Sequence, residues 1–353
     1  MLCVENLALI PMKKSNSIES KNMTENPLTQ AMTAFDEYKK RKKEIIDYGL
    51  PLPGVKKQKY YYPMTQFLLR MITFFNGESI SFLNEKNVRT PIGRPIIFAN
   101  THKFKPDIEK ITLSIKRPSV MMASDFKNSY KTINGWYFGT RPTIFVDPYS
   151  KEDKNYTYKM MVRYLQEGHD CMIFPEAVWN LSENKIVLET FFGTVRAALE
   201  SNAVIICTAI ERYGKKYIIN RKGYFDPSLI LNKYTDKSYA ELQSDSQNKD
   251  LVNEILTECN RELRDTMATL TFEIWEDHAE EFGVESRAEL PADYWQTFVT
   301  GLTSEWPGYK MSDNVEQRFH SKLEIEHEQL RADLKNIRPT MQNAFLFNKR
   351  LKL

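Results

Sequence analysis

The stretch Pro95-Ile96-Ile97-Phe98-Ala99-Asn100-Thr101-His102-Lys103-Phe104-Lys105-Pro106-Asp107 decides how the chain folds. Its first half is a short apolar run, the texture of a strand buried on both faces. Its second half is polar and ends in Pro106, which disfavours helical geometry at Lys105 and suits a first helical position. Ile108, Ile111 and Ile115 then recur along one helical face. Similar apolar runs return as SVMMAS (119–124), PTIFV (142–146), DCMIF (170–174), VIICTAI (204–210) and KYIIN (216–220), with Tyr158, Met161 and Leu165 marking another helix among them. Strands alternating with helices predict an α/β fold around a mostly parallel, doubly wound sheet. In such sheets chemistry gathers just beyond the carboxyl ends of the strands.

Outside this core the texture changes twice. Residues 1–59 read as a polar, basic N-terminal segment that closes near Pro51 and Pro53. Residues 60–230 read as the α/β core, led by an amphipathic helix with Pro63 in its first turn and Gly77 as its stop. Met64, Phe67, Leu68, Met71, Ile72 and Phe75 form its apolar stripe, for which packing into a core is the default expectation. The alternative is a helix lying in a lipid interface, flanked by Lys56, Lys57, Lys59 and Arg70. Residues 231–353 read as a helical region packed on the core. Leu251, Ile255, Cys259, Leu263, Met267, Leu270 and Ile274 share one face, and Val315, Phe319, Leu323, Leu330, Leu334 and Ile337 suggest a second helix.

The chain has 353 residues, 42% hydrophobic and 27% charged, with a net charge of +3, which fits one large domain or two modest ones and argues against wholesale disorder. No window supplies the roughly eighteen apolar residues a membrane-spanning helix needs. The first dozen residues contain Glu5 and lack a basic leader, so a cytoplasmic location is expected, with peripheral membrane contact as its extension. Cys3, Cys171, Cys207 and Cys259 lie far apart, as expected of reduced structural thiols, and no metal site or cofactor is expected. Charge is unevenly spread. Asp36 to Arg70 holds nine Lys/Arg against four Asp/Glu, whereas Asp250 to Leu290 holds three against twelve. The basic stretch suits reversible contact with an anionic membrane. No recognised nucleic-acid motif accompanies it, and no P-loop, G-x-G-x-x-G or G-x-S-x-G occurs.

The residues just beyond the strand ends carry the chemistry. His102 and Asp107 sit at a loop-to-helix junction, which can fold the imidazole back onto a carboxylate in the first helical turn. A general base and its orienting carboxylate require that arrangement. The run DCMIF leads directly into Phe174-Pro175-Glu176-Ala177-Val178-Trp179-Asn180, which puts a carboxylate at the sheet edge. Between these lies Gly135-Trp136-Tyr137-Phe138-Gly139-Thr140-Arg141-Pro142, leading into TIFVD.

The order NTHKFKPD, GWYFGTRPTIFVD, FPEAVWN and VIICTAIE, over residues 92 to about 226, resembles the glycerophospholipid acyltransferase family, especially the 1-acyl-glycerol-3-phosphate (lysophosphatidic acid) acyltransferases. The resemblance implies that His102 takes a proton from an acceptor hydroxyl, which attacks the thioester of an acyl-CoA or acyl-carrier protein, while Asp107 holds the imidazole. It implies that Phe174, Pro175 and Glu176 bind a lysophospholipid or glycerol-phosphate-like acceptor, and Lys103, Lys105 and Arg141 are the available phosphate partners. Departures are visible. Pro148 follows Asp147 where the family has an arginine, Ala177 and Val178 replace a glycine and a small hydroxyl residue, and Cys207-Thr208 stands where a proline is usual. These leave open a non-lipid acceptor, and an acyltransferase-like binding protein or pseudo-enzyme at an anionic membrane.

Overall fold

A computed structural model describes residues 26–278, apart from 104–105, 125, 132, 178–179, 181–186 and 189. Cys3, Glu5, Lys105, Val178 and the stripe from Val315 to Ile337 therefore lie outside the described residues. Helices α1 (Pro27–Asp47) and α2 (Val55–Phe75) lead into strands β1 (Ser79–Phe82) and β2 (Ile96–Asn100). Then come α3 (Asp107–Ser114), β3 (Ser119–Ala123), α4 (Phe126–Ser129), α5 (Ile133–Gly139), β4 (Thr143–Phe145), α6 (Lys151–Gln166) and β5 (Asp170–Ile173). The rest is α7 (Gly193–Ser201), β6 (Val204–Tyr213), β7 (Lys216–Asn220), α8 (Pro227–Tyr234), α9 (Tyr239–Ser244) and α10 (Lys249–Asp277).

The strands form one seven-stranded sheet in the order β1-β7-β6-β2-β5-β3-β4. Its pairings are parallel except β6 with β7. All five β2 residues are buried, as a strand covered on both faces must be. One face packs Ile97, Ala99, Ile205 and Ala209 against α6, α7, α8 and α10. The other packs Ile96, Phe98, Ile206 and Ile219 against Leu69 of α2, Ile111 of α3 and Tyr137 of α5. The α10 stripe from Ile255 to Ile274 is buried as its spacing predicts, and Cys171, Cys207 and Cys259 are free and buried.

One feature of the sheet shapes the site. Asn100, the last residue of β2, pairs with Thr208, but β6 continues to Tyr213, about 16 Å further. β7 turns back along this overhang from Lys216 to Asn220, and β1 adds to its far side, Ser79 opposite Lys216. Three strands thus form a wall above the carboxyl edge at which β2 stops. No apolar run announces β1, which is four residues long and only half-buried.

The two N-terminal helices depart from expectation. α2 starts at Val55, so Pro63 lies inside the helix rather than in its first turn, and the 59/60 boundary cuts through it. Proline's missing amide costs the ladder one bond there, and Pro63 lies on the exposed side where water can serve the freed carbonyl. The expectation of core packing for the stripe fails: Phe67, Phe74 and Phe75 are 61%, 75% and 74% exposed, with Met64, Met71 and Ile72 beside them. The buried side is polar instead. Gln58 Nε2 donates to Ser119 O (3.0 Å), Gln66 Nε2 to Thr112 O (2.8 Å) and Tyr62 OH to Ile115 O (2.9 Å). In α1 four of the five cations of the basic run, all but the exposed Lys40, are consumed internally. Lys39 pairs with Asp36 and Asp147, Arg41 with Glu44, and Lys43 with Glu152.

Lys42 is the extreme case. Its buried ammonium donates to Phe145 O (2.7 Å), Asp153 Oδ2 (2.8 Å) and Thr157 Oγ1 (2.7 Å), tying α1 to β4 and α6. Removing the lysine leaves the Asp153 carboxylate buried without its counter-charge. Lys42→Ala is expected to destabilise the fold by about 3–5 kcal/mol in urea unfolding; a loss near that of an exposed ion pair, under about 1 kcal/mol, would refute this role.

Candidate active site

β2 delivers its last residues to the foot of the wall. Thr101 is buried, its amide donating to Thr208 O (3.0 Å) while its Oγ1 accepts from Ile210 N (3.1 Å). Thr101 therefore fixes the departing chain to β6. The next residue, His102, has a side chain 15% exposed, and its Nδ1 lies 2.8 Å from Asp107 Oδ2. The Lys103 amide donates to the same oxygen at 2.8 Å. Asp107 is the first residue of α3 and fully buried, where the helix dipole favours its negative charge. A carboxylate accepts only, so His102 carries its proton on Nδ1 and presents Nε2 as the basic nitrogen.

Glu176 secures the opposite side of this loop. Its Oε1 accepts from the His102 amide (3.0 Å) and its Oε2 from the Leu188 amide (2.8 Å). Burial pushes its carboxyl up to about 7, against the opposing pull of the two amides and of the Lys103 and His102 charges. The Asn180 amide donates to His102 O at 2.6 Å, and Phe191 N to Pro175 O at 3.1 Å. The Phe174 ring lies 4.4 Å from the imidazole, centre to centre. Ala177, where the resembled family has glycine, adopts a φ of +58°. An L-residue held in that region costs about 1–2 kcal/mol, so the substitution stores strain in the turn beside Glu176.

The structure thus brings together His102, Asp107, Phe174 and Glu176. It gives other candidates different surroundings. Lys103, offered by the sequence to a phosphate, has a buried ammonium 2.9 Å from Glu211 Oε1 and 4.9 Å over the Trp275 ring. Glu176, offered to an acceptor hydroxyl, has both oxygens on backbone amides. Arg141 is buried, donating to Thr112 Oγ1 (3.0 Å) with its guanidinium 4.6 Å over Tyr137. Its Nε has no partner among the described residues, and no carboxylate pairs with it there. Pro175 serves through its carbonyl. The sequence pattern assigns no role to Thr101, Asn180, Glu211 or Trp275, although the first three stand within the NTHKFKPD, FPEAVWN and VIICTAIE blocks. Among the described residues no group of three His, Cys, Asp or Glu could hold a metal ion.

Residues 79–211 match the family model described as Acyltransferase. That span of the chain is therefore similar to acyltransferases. No curated protein matches it by sequence. Among solved structures it is similar to PlsC, the 1-acyl-sn-glycerophosphate (LPA) acyltransferase of Thermotoga maritima. That likeness has 15% identity and a TM-score of 0.40, and covers 66% of this chain and 94% of that one.

The raised carboxyl of Glu176 has a consequence for stability. Between about pH 4.5 and about 7 the folded chain keeps a proton on Glu176 that the unfolded chain has released. The native state then binds more protons, so stability falls as pH rises through that window. Glu176→Gln cannot titrate and is expected to lose less stability across the window than the unaltered chain. Urea melts at its two ends test this, and parallel losses in both proteins would contradict it.

Proposed function

We propose that this chain transfers a fatty acyl group from the thioester of an acyl-CoA or acyl-carrier protein to a hydroxyl of a lysophospholipid or glycerol-phosphate-like acceptor. The observation that carries the reading is the 2.8 Å contact between His102 Nδ1 and Asp107 Oδ2 at the carboxyl end of β2, inside the acyltransferase span. His102 Nε2 takes the acceptor proton as the oxygen attacks the thioester carbonyl. Asp107 keeps the proton on Nδ1 and stabilises the imidazolium that forms. Collapse of the tetrahedral intermediate expels the thiolate, to which the proton can be returned. Arg141, a buried cation without a carboxylate partner among the described residues, is the remaining described candidate for an acceptor phosphate.

His102→Ala is expected to abolish thiol release in an acyl-CoA assay run across lysophospholipids and glycerol phosphate, with the melting temperature unchanged. Asp107→Asn is expected to lower kcat by about 10²–10⁴-fold while leaving KM for the acceptor near its original value. Undiminished turnover in His102→Ala would reject the mechanism. Silence of the unaltered chain with every lipid acceptor would favour a non-lipid acceptor or a pseudo-enzyme.

The same reading includes reversible attachment to an anionic membrane through α2. No described helix is long and apolar enough to cross a membrane. α2 instead turns its aromatic side outward, and Lys56, Lys57, Lys59 and Arg70 on it have no acidic partner among the described residues. Co-sedimentation with vesicles containing anionic lipid is expected to weaken with salt, and to fall about tenfold or more in Phe67→Ser/Phe74→Ser. Unchanged sedimentation of that double variant would remove α2 from the membrane contact.

A further inference from the structure

We propose that Lys103, Glu211 and Trp275 form a positioning chain through which helix α10 holds the His102–Asp107 loop in its reactive geometry. This deepens the acyl-transfer reading and rests on it. Lys103 belongs to the loop itself, since its amide donates to the Asp107 oxygen that receives His102 (2.8 Å). Its side chain is buried and ends 2.9 Å from Glu211 Oε1, in the part of β6 that overhangs the site. The same Glu211 oxygen accepts from Trp275 Nε1 at 2.7 Å, and the Trp275 ring lies under the Lys103 ammonium at 4.9 Å. One carboxylate oxygen therefore joins the loop, the wall and helix α10.

The arrangement costs a desolvated ion pair, which hydrophobic residues could replace without loss of stability. What it supplies is direction. A buried ammonium held by a charge-assisted bond and an aromatic face has little rotational freedom, so the backbone of Lys103 is held with it. Displacing a general base by about 1 Å can cost on the order of 100-fold in rate. Trp275 also lies 64 residues beyond Glu211, outside the span matched by the acyltransferase family model. Among the described residues, the charged groups around His102 include Asp107 of α3, Glu176 after β5 and Lys103 in its own loop, with Glu211 of β6 on the far end of Lys103.

The test uses the full chain, an acyl-CoA donor and a lysophosphatidate acceptor. Glu211→Gln keeps an acceptor for Trp275 but removes the charge that holds Lys103. Trp275→Phe keeps a ring and removes only the indole donor. Each is expected to lower kcat by about 10–100-fold with both KM values nearly unchanged. Each is also expected to move the acidic limb of the kcat/KM profile to lower pH, because an imidazolium less well placed against Asp107 loses its proton more readily. A merely structural role would lower activity only with the folded fraction, measured by melting, and leave that limb in place; this result overturns the proposal. Turnover and pH limb equal to the unaltered chain in both variants overturn it too. If His102→Ala keeps its turnover, the parent mechanism fails; if His102→Ala is silent while both variants behave as the unaltered chain, only the positioning chain fails.

Discussion

Asp107 Oδ2 accepts two hydrogen bonds from a single loop, one from the His102 ring and one from the Lys103 backbone. The remainder of the site is arranged so that this oxygen can be where it is. β2 must end at Asn100, Thr101 must be fixed to β6, and α3 must start at once so that its first residue faces back along the chain. The helix dipole and the two donors converge on that one carboxylate. Glu176 then holds the other side of His102 through its backbone amide rather than its ring. The geometry of the imidazole is thus set largely by main-chain contacts, which explains why a strained turn at Ala177 is tolerated one residue from Glu176. The amide network over-determines that turn and offsets its cost.

α3 also explains why α2 is inside out. A helix of eight residues leaves half of its carbonyls without an intrahelical donor. At its C-terminal end Thr112 O is served by Gln66, Ser114 O by Arg221 and Ile115 O by Tyr62. Two of those three donors come from α2. Its polar residues are therefore the ones that must face inward, and the apolar residues at the opposite helical positions are left outside. The exposed aromatic face accords with the capping demand of the short helix α3 beside the candidate site.

The alternation of apolar runs makes the sheet legible, and six of its seven strands appear where those runs stand. His102 and Asp107 are legible for a similar reason: both belong to one strand–loop–helix unit, and Pro106 marks the junction. Partners distant in sequence are not. Nothing near Lys103 announces Glu211 and Trp275, nothing near Glu176 announces the Leu188 amide, and a run of lysines looks the same whether it meets solvent or, as at Lys42, a buried aspartate. The α2 stripe shows the converse failure. Periodicity locates the two faces correctly, but which one turns inward depends on carbonyls more than forty residues away.

The loss of four of the five α1 cations to internal partners bears on how a membrane reading works energetically. Four cations remain on α2, worth together about 4 kcal/mol at a strongly anionic surface and screened within a Debye length. Phe67, Phe74 and Phe75 each contribute at most about 1.5–3 kcal/mol on complete burial, and less where burial is partial. The apolar and electrostatic contributions are therefore comparable, and neither approaches that of a spanning helix. Salt should weaken such an attachment without abolishing it, and detachment should remain easy. On the proposed reading, an enzyme that receives one substrate from water and another from lipid would benefit from that balance, because the exposed aromatic face belongs to the helix that caps α3, whose first residue is Asp107.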